Sequence, residues 1–181
     1  STRAALIDKK GVIVDQESIE FNQIYPASGW VEHDPLEIIR TVKSTISTVL
    51  KRNAIIQSDI VSCGITNQRE TIVAWDKVTG KPLYNAIVWQ DRRTQEICQK
   101  LVDKDYTNLI QEKTGLIIDP YFSASKIRWL LEHIKEQKNL IVGTIDTWII
   151  WNLTNKAQHV TDITNASRTM LYNIVDETWD Q

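Results

Sequence analysis

The sequence is short of several features that would place it in a specialised class of protein. It has two cysteines, Cys63 and Cys98, without CxxC spacing, which excludes a disulfide-stapled secreted scaffold and favours a reducing, cytosolic compartment. No apolar run approaches the roughly 18 residues that span a bilayer. No cluster of lysine and arginine forms a basic stripe, and the formal net charge is −2. Nucleic acid and membrane insertion are therefore not expected.

Familiar site motifs are also missing. The sequence contains neither GxxxxGK[ST] nor GxGxxG, so a P-loop or a dinucleotide-binding fold has no local support. No GxSxG elbow supports a Ser-His-Asp triad. The run Glu32-His33-Asp34 resembles a metal-ligand cluster only superficially, because Asp34 is better explained as the N-cap of a helix. We predict no metal ligand in this chain.

What is present predicts an α/β fold. The chain has 181 residues, 42% of them hydrophobic, enough for one domain with a buried core. Two extended runs joined at Asp8–Gly11 predict a β-hairpin. Asp34, Pro35 and Glu37 predict a capping box for a helix that runs to about Arg52.

Strands and helices then follow in mixed order, as expected for an α/β architecture. We predict strands at 59–66, 71–75, 84–89 and 140–142. We predict helices at 94–104, at 125–135 and after Thr144, and a shorter helix around residues 109–110 that ends near Gly115. We predict an extended or irregular segment after residue 158.

The stretch Gly64–Thr71, GITNQRET, ends an apolar approach abruptly with polar residues. Neighbours in a strand point to opposite faces, so Arg69 and Glu70 can serve one pocket only if the strand ends or bulges there. Such a pair offers donors and acceptors together, which suits a neutral hydroxylated ligand better than an anion. A solvated surface turn is the alternative interpretation.

The other candidate site residues also have simple structural interpretations. Ser1, Thr2 and Arg3 at the head of the hairpin could donate to phosphate oxygens, or they could be an ordinary polar end. Trp89 lies where an apolar strand meets a charged run and could form a pocket wall. Tyr121 could offer its hydroxyl, although buried aromatic residues commonly serve packing alone.

Five segments together resemble the glycerol kinases of the FGGY carbohydrate kinase family. They are GWVEHDP, GITNQRETIVAWDKVTGKPLYNAIVWQDRRT, TGLIIDPYFSASK, GTIDTWIIWNLT and VTDITNASRTMLYNI, in order along nearly the whole chain. The resemblance implies a ribonuclease H-like (actin-like ATPase) domain with a mixed sheet and flanking helices.

The same resemblance implies ATP-dependent, Mg²⁺-assisted phosphorylation of glycerol to sn-glycerol 3-phosphate. It also implies roles by position. Hydroxyl-binding residues match Arg69, Glu70 and Tyr121, an aromatic wall matches Trp89, and the tail of a nucleotide phosphate loop matches Ser1, Thr2 and Arg3.

Two departures from the family pattern define further expectations. Residues 1–181 are expected to be an N-terminal domain without its first strand, the start of the phosphate loop, or a second domain that would carry the adenine site and a general-base aspartate. No catalytic residue is then expected in this chain, and the isolated chain is predicted to be inactive. The connection at 135–142 looks shorter than usual.

The resemblance further implies a homo-oligomer, a dimer or a tetramer. A kinase for another small polyol and a non-catalytic polyol-binding module remain the alternatives.

Overall fold

A computed structural model of the chain describes residues 1–135 and 138–180. The shortened connection expected at 135–142 lies partly outside the described residues. In the first half of the chain the elements are β1 (Thr2–Ile7), β2 (Ile13–Ile19), β3 (Glu32–His33), α1 (Pro35–Arg52), β4 (Ile72–Asp76) and β5 (Ala86–Ile87). The second half contributes α2 (Gln95–Asp103), α3 (Thr107–Thr114), α4 (Ser123–His133), β6 (Leu140–Thr144), α5 (Ile145–Leu153), α6 (Ile163–Ala166), β7 (Tyr172–Asn173) and β8 (Thr178–Trp179).

The predicted hairpin is confirmed. β1 and β2 pair antiparallel, and Oδ1 of Asp8 accepts hydrogen bonds from the backbone N–H groups of Lys10 and Val12. Gly11 takes a positive φ of 81°, which glycine adopts without the steric cost that a Cβ would bring. The hairpin contacts α1 through the hydroxyls of Thr2 and Thr41, 2.8 Å apart.

The long helix α1 begins where its capping residues predicted. The Asp34 carboxylate accepts from the N–H of Leu36 at 2.8 Å. The other half of the predicted capping box does not form, because Glu37 accepts instead from the backbone and side chain of Asn22. In the first turn of the helix Leu36 is 45% exposed, whereas Ile38 is buried.

The central sheet has the strand order β3-β5-β4-β6, and its described pairs are antiparallel. Alternate residues of β4 face two different layers. Val73 and Trp75 pack in a cluster with α1 and α5, whereas Ile72 and Ala74 pack in a second cluster with α4. Burial of side chains this size stabilises a fold by about 1.5–3 kcal/mol each, so β4 anchors the helix layers on both sides.

Some predicted elements are wrong. Instead of a strand at 59–66, the chain forms a 3₁₀ turn at Gln57–Asp59 and then runs without a ladder through an exposed segment in which Val61 is 90% exposed. Alternating hydrophobicity makes a strand only where a neighbour accepts its hydrogen bonds, and no described strand pairs with this segment. The strand expected at 84–89 shortens to β5. The irregular stretch after residue 158 contains α6.

The helices of the described residues do not include one that is both long and apolar enough to cross a bilayer. The longest, α1, has four charged residues on its exposed side, Arg40, Lys43, Lys51 and Arg52. This agrees with the amphipathic pattern that packs α1 against the sheet.

Candidate functional site

Glu70 lies at a sharp backbone turn immediately before β4. Its φ of 64° is in the left-handed region, which is uncommon for a residue other than glycine. The side chain is almost fully buried, while the neighbouring Arg69 is exposed. The backbone carbonyl of Glu70 lies 3.4 Å from the hydroxyl of Ser123, at the start of α4. The turn therefore directs Glu70 inward against α4.

The charge partner of Glu70 is Arg168, 98 residues later in the chain. Nε of Arg168 donates to Oε1 of Glu70 at 2.6 Å, and the two side chains are 31% and 3% exposed. Burial alone would lower the pKa of Arg168, but the hydrogen bond and the charge of Glu70 outweigh it and raise that pKa. The guanidinium is thus a permanent positive charge beside a buried carboxylate.

Short-range bonds place Arg168 beside α4. The Asp162 carboxylate caps α6 by accepting from the N–H of Asn165 at 2.9 Å, and the N–H of Arg168 donates to the carbonyl of Asn165 at 3.0 Å. The next residue, Thr169, accepts from the N–H of Ala124 at 2.8 Å. The start of α4 therefore contacts both the Glu70 turn and the Arg168 segment.

An aromatic pair adjoins the ion pair. The rings of Trp89 and Tyr121 lie 5.4 Å apart at 59°, and Trp89 is 36% exposed. The guanidinium carbon of Arg168 lies 5.6 Å from the Tyr121 ring and 5.0 Å from the Phe122 ring, within cation–π range. Glu70, Trp89 and Tyr121, three of the four predicted substrate-binding residues, are linked through Arg168.

A buried lysine holds the segment that carries Tyr121. Lys126, in α4, is fully buried, and its Nζ donates to the carbonyls of Pro120, Tyr121 and Phe122 at 2.6–2.8 Å. Burial lowers its pKa to about 7. Sequence analysis missed Lys126, although its place four residues before Leu130 on the buried side of a helix was a usable signal.

A second buried ion group fixes the segment that follows Trp89. Arg93 lies 2.8 Å from Asp91 and 2.7 Å from Glu32, and the side chains of all three are almost fully buried. Its guanidinium carbon lies 3.8 Å from the centre of the Trp30 ring. Oδ2 of Asp91 also accepts from the N–H of Val31 at 2.6 Å. We call Glu32, Asp91 and Arg93 the closed ion cluster.

The polar run before Glu70 is held by a histidine. Nε2 of Gln68 donates to Nδ1 of His33 at 3.0 Å, which leaves Nε2–H of His33 to donate to Gln23 at 2.8 Å. Burial lowers the pKa of His33 to about 4, so the ring is neutral at physiological pH. The amide contact fixes the approach to the Arg69–Glu70 turn.

The remaining predicted site residues lie apart from this group. Within the described residues, Arg69 makes no hydrogen bond or ion pair. Thr2 bonds to α1, and Nε of Arg3 donates to Ser18 in β2 at 3.0 Å. No hydrogen bond, ion pair or ring contact in the described chain joins these residues to Glu70.

A cavity of about 540 Å³ opens beside β6 and α6. Its lining is largely apolar with several threonines, and it contains none of the predicted site residues. Across 1–135 and 138–180, no group of three or more His, Cys, Asp or Glu residues could hold a metal ion.

A profile of the FGGY family of carbohydrate kinases, N-terminal domain, matches residues 1–181. The chain belongs to this family. Curated relatives include glycerol kinases of Mycoplasmopsis pulmonis and Ligilactobacillus salivarius, each 54% identical and matched by the whole of this chain. The match spans 37% of each of those relatives.

Solved structures agree with the family assignment. Plasmodium falciparum glycerol kinase with ADP superposes with a TM-score of 0.91 at 41% identity, over 99% of this chain and 37% of that one. A ligand-bound xylulose kinase from Lactobacillus acidophilus superposes with a TM-score of 0.86 at 27% identity, over 99% and 36% of the two chains. The predicted fold class, an α/β ribonuclease H-like domain of the actin-like ATPase type, is confirmed for this FGGY domain.

Proposed function

We propose that this FGGY domain supplies the glycerol-binding half of a glycerol kinase, an enzyme that transfers a phosphoryl group from ATP to glycerol and releases sn-glycerol 3-phosphate. One observation carries the proposal. A buried carboxylate, Glu70, has its charge balanced by Arg168 and lies next to the aromatic pair of Trp89 and Tyr121. Such a site suits an uncharged ligand with several hydroxyls and a short carbon chain.

The proposed chemistry is mainly positioning, since phosphoryl transfer needs in-line geometry and charge stabilisation more than covalent help. Glu70 accepts a hydrogen bond from one glycerol hydroxyl, and Arg69 donates to an adjacent one when its exposed side chain folds over the ligand. Tyr121 contributes a third polar contact, and Trp89 packs against the carbon chain. Held in this way, the terminal hydroxyl faces the phosphoryl donor.

ATP with Mg²⁺ supplies the phosphoryl group when bound. In this chain Arg3 fits a phosphate contact, because it is exposed and only its Nε is engaged, by Ser18. Ser1 and the backbone of Thr2 lie beside it. Mg²⁺ would bind together with the nucleotide and would neutralise charge on its phosphates. From the family resemblance, the general-base aspartate and the adenine site are expected outside the 37% of the relatives that this chain matches.

The test is glycerol kinetics in the full-length protein with Glu70→Gln and Arg69→Ala, each against an exposed control, Glu132→Gln. A hydrogen bond to a charged group contributes roughly 1.5–3 kcal/mol, so kcat/KM for glycerol should fall about tenfold or more in both variants and stay unchanged in the control. A site built to bind hydroxyls rejects analogues that lack one by roughly 10⁴-fold. Equal turnover of propane-1,2-diol, or an unchanged kcat/KM, would contradict the assignment.

A kinase for another polyol is the second candidate, favoured by the xylulose kinase and gluconate kinase neighbours at 27% and 26% identity. A substrate panel on the full-length protein separates the two. A non-catalytic module would bind glycerol in calorimetry without turning over ATP. We propose a cytosolic location, in keeping with the free thiols of Cys63 and Cys98. Assembly as a dimer or tetramer and inactivity of the isolated chain stay predictions.

A further inference from the structure

Arg168 has no role in the function proposed above beyond balancing charge, yet its geometry points to more. It bonds to Glu70 through one nitrogen and one oxygen only, Nε to Oε1 at 2.6 Å. The second carboxylate oxygen, Oε2, has no hydrogen-bond partner among the described residues. An arginine that binds a carboxylate with both arms would occupy both oxygens. Because Arg168 bonds only to Oε1, Oε2 can accept a hydrogen bond from a ligand.

Other cations in the neighbourhood do not replace Arg168. Lys126 is buried near enough for the charge of Glu70 to influence it, but its Nζ already donates to three backbone carbonyls. Arg69 is exposed and has no ion pair in the part of the chain that the structure describes. A buried carboxylate without a counter-charge is strongly unfavourable, so Glu70 depends on Arg168.

The same guanidinium also contacts the aromatic side of the site. Its central carbon lies 5.6 Å from the Tyr121 ring and 5.0 Å from the Phe122 ring. A lysine could supply the charge at this position, but its ammonium is a point charge without the planar arrangement of N–H groups that fixes one direction. Arg168 therefore joins the carboxylate and the aromatic wall in one rigid arrangement.

We propose that Arg168 is a positioning and specificity-determining residue of the polyol site. It holds Glu70 in the rotamer that presents Oε2 to a substrate hydroxyl, and it cancels the charge of Glu70 so that the site accepts an uncharged polyol and rejects an acid of the same size. This inference rests on the proposed function, because the hydroxyl that bonds to Oε2 belongs to the proposed substrate.

A double-mutant cycle in the full-length protein tests the inference, with glycerol kinetics for Arg168→Met, Glu70→Gln and the double variant. Arg168→Met should lower kcat/KM by about tenfold or more, and in the Glu70→Gln background the same change should lower it less than threefold, since the carboxylate it positions is gone. Equal factors in both backgrounds would overturn the inference. Arg128→Met, at an exposed pair with Glu132, is the matched control and should leave kcat/KM unchanged.

The relative kcat/KM for two substrates is a measurement that a purely structural role of Arg168 would not change. Glu70→Gln leaves the Arg168 charge unbalanced, so the ratio of kcat/KM for glycerol to that for glycerate, its carboxylate analogue, should fall at least tenfold. In the double variant this ratio should return toward the wild-type value. A ratio that does not change in Glu70→Gln overturns the specificity part of the inference.

Arg168→Lys keeps the inference falsifiable if Arg168→Met fails to fold. It retains the charge but loses the planar contact, so kcat/KM for glycerol should fall below the wild-type value, and full wild-type kcat/KM would overturn the positioning role. The two proposals fail differently. If Glu70→Gln has no effect on glycerol kinetics, the proposed function fails. If Glu70→Gln lowers kcat/KM and Arg168→Met does not, only the inference about Arg168 fails.

Discussion

Two of the arginine–carboxylate groups in the described residues, one around Arg93 and one around Arg168, are built differently. In the closed ion cluster, Arg93 contacts Asp91 through Nε and Nη2, Glu32 through Nη2, and the hydroxyl of Tyr84 through Nη1 at 3.3 Å. The face of its guanidinium is covered by Trp30. In the pair of Glu70 and Arg168, a single bond joins the partners and the arginine is 31% exposed.

The difference separates a structural ion group from a site. A buried charge is tolerated when its hydrogen-bonding capacity is filled. In the closed ion cluster both oxygens of Asp91 accept hydrogen bonds. Of the two oxygens of Glu32, Oε2 accepts from Asn85, and Oε1 has no hydrogen bond among the residues that the structure describes but forms an ion pair with Arg93 at 2.7 Å. Glu70 is as deeply buried as Glu32, yet its Oε2 lacks a partner in the described chain. A carboxylate that is buried but not fully bonded is poised to bind a donor from outside.

The largest effect is expected when the cation is removed from the closed ion cluster. Arg93→Met leaves two buried carboxylates without their cation, and removal of one partner from a buried ion pair destabilises a protein by about 3–5 kcal/mol. We expect a loss of that size in urea unfolding of the full-length protein. A loss below about 1 kcal/mol would mean that this cluster is no more structural than an exposed pair.

The next largest effect is expected at Lys126, which supports the site without touching it. Lys126→Met leaves three carbonyls without a donor, and an unsatisfied buried polar group is unfavourable by about 1–3 kcal/mol. Some of those carbonyls will find water, so we expect a loss of about 2–3 kcal/mol in the free energy of unfolding. A variant with wild-type stability would show that Tyr121 is held by other contacts.

The pH dependence of Lys126 sharpens this prediction. Burial lowers its folded pKa to about 7 from 10.5, so between these values the unfolded chain binds the proton more tightly than the folded chain does. Stability contributed by this residue therefore rises from about pH 7 upward and is lost as pH falls toward 7. Nearby charges that act on it in the folded state come from Asp91, Glu70 and Asp119.

The measurement is the difference in unfolding free energy between wild type and Lys126→Met at pH 7 and pH 9. The difference should be larger at pH 9 than at pH 7. A difference that does not change with pH would contradict the assignment of a lowered pKa to Lys126.

The smallest effect is expected at an exposed pair of the same chemistry. Arg128 and Glu132 lie 2.7 Å apart on the surface of α4, and their side chains are 67% and 44% exposed. Exposed helical pairs contribute about 0.3–0.5 kcal/mol, so Arg128→Met should change stability by no more than that in urea unfolding. A loss comparable to that of Arg93→Met would erase the distinction between closed and exposed pairs.

Local elements were predictable because their signals are local. Gly11 predicted the hairpin turn, and Asp34 with Pro35 predicted the start of α1, since a turn or a cap involves residues a few positions apart. The strand expected at 59–66 failed for the opposite reason. Its alternating pattern was real, but a strand also needs a partner that the sequence of the strand itself does not reveal.

The candidate site was predicted only in part for the same physical reason. The Arg-Glu run directed attention to Glu70, but adjacency suggested Arg69 as its companion, whereas the structure pairs Glu70 with Arg168 from a segment 98 residues away. Neither spacing nor composition encodes such a contact. Trp89 and Tyr121 were candidates from their positions in the sequence, and the resemblance to FGGY kinases added their roles. The structure shows that these two rings are in contact.

Glu70 has an unfavourable backbone conformation, although its side chain is the one proposed to bind the ligand. A left-handed φ of 64° is unfavourable by roughly 1–2 kcal/mol for a residue with a Cβ, and glycine would relieve it. Glycine or asparagine at this position would relieve the backbone strain, but each would discard the carboxylate and leave Arg168 without its partner. At position 70, relief of backbone strain and recognition of the ligand therefore favour different amino acids.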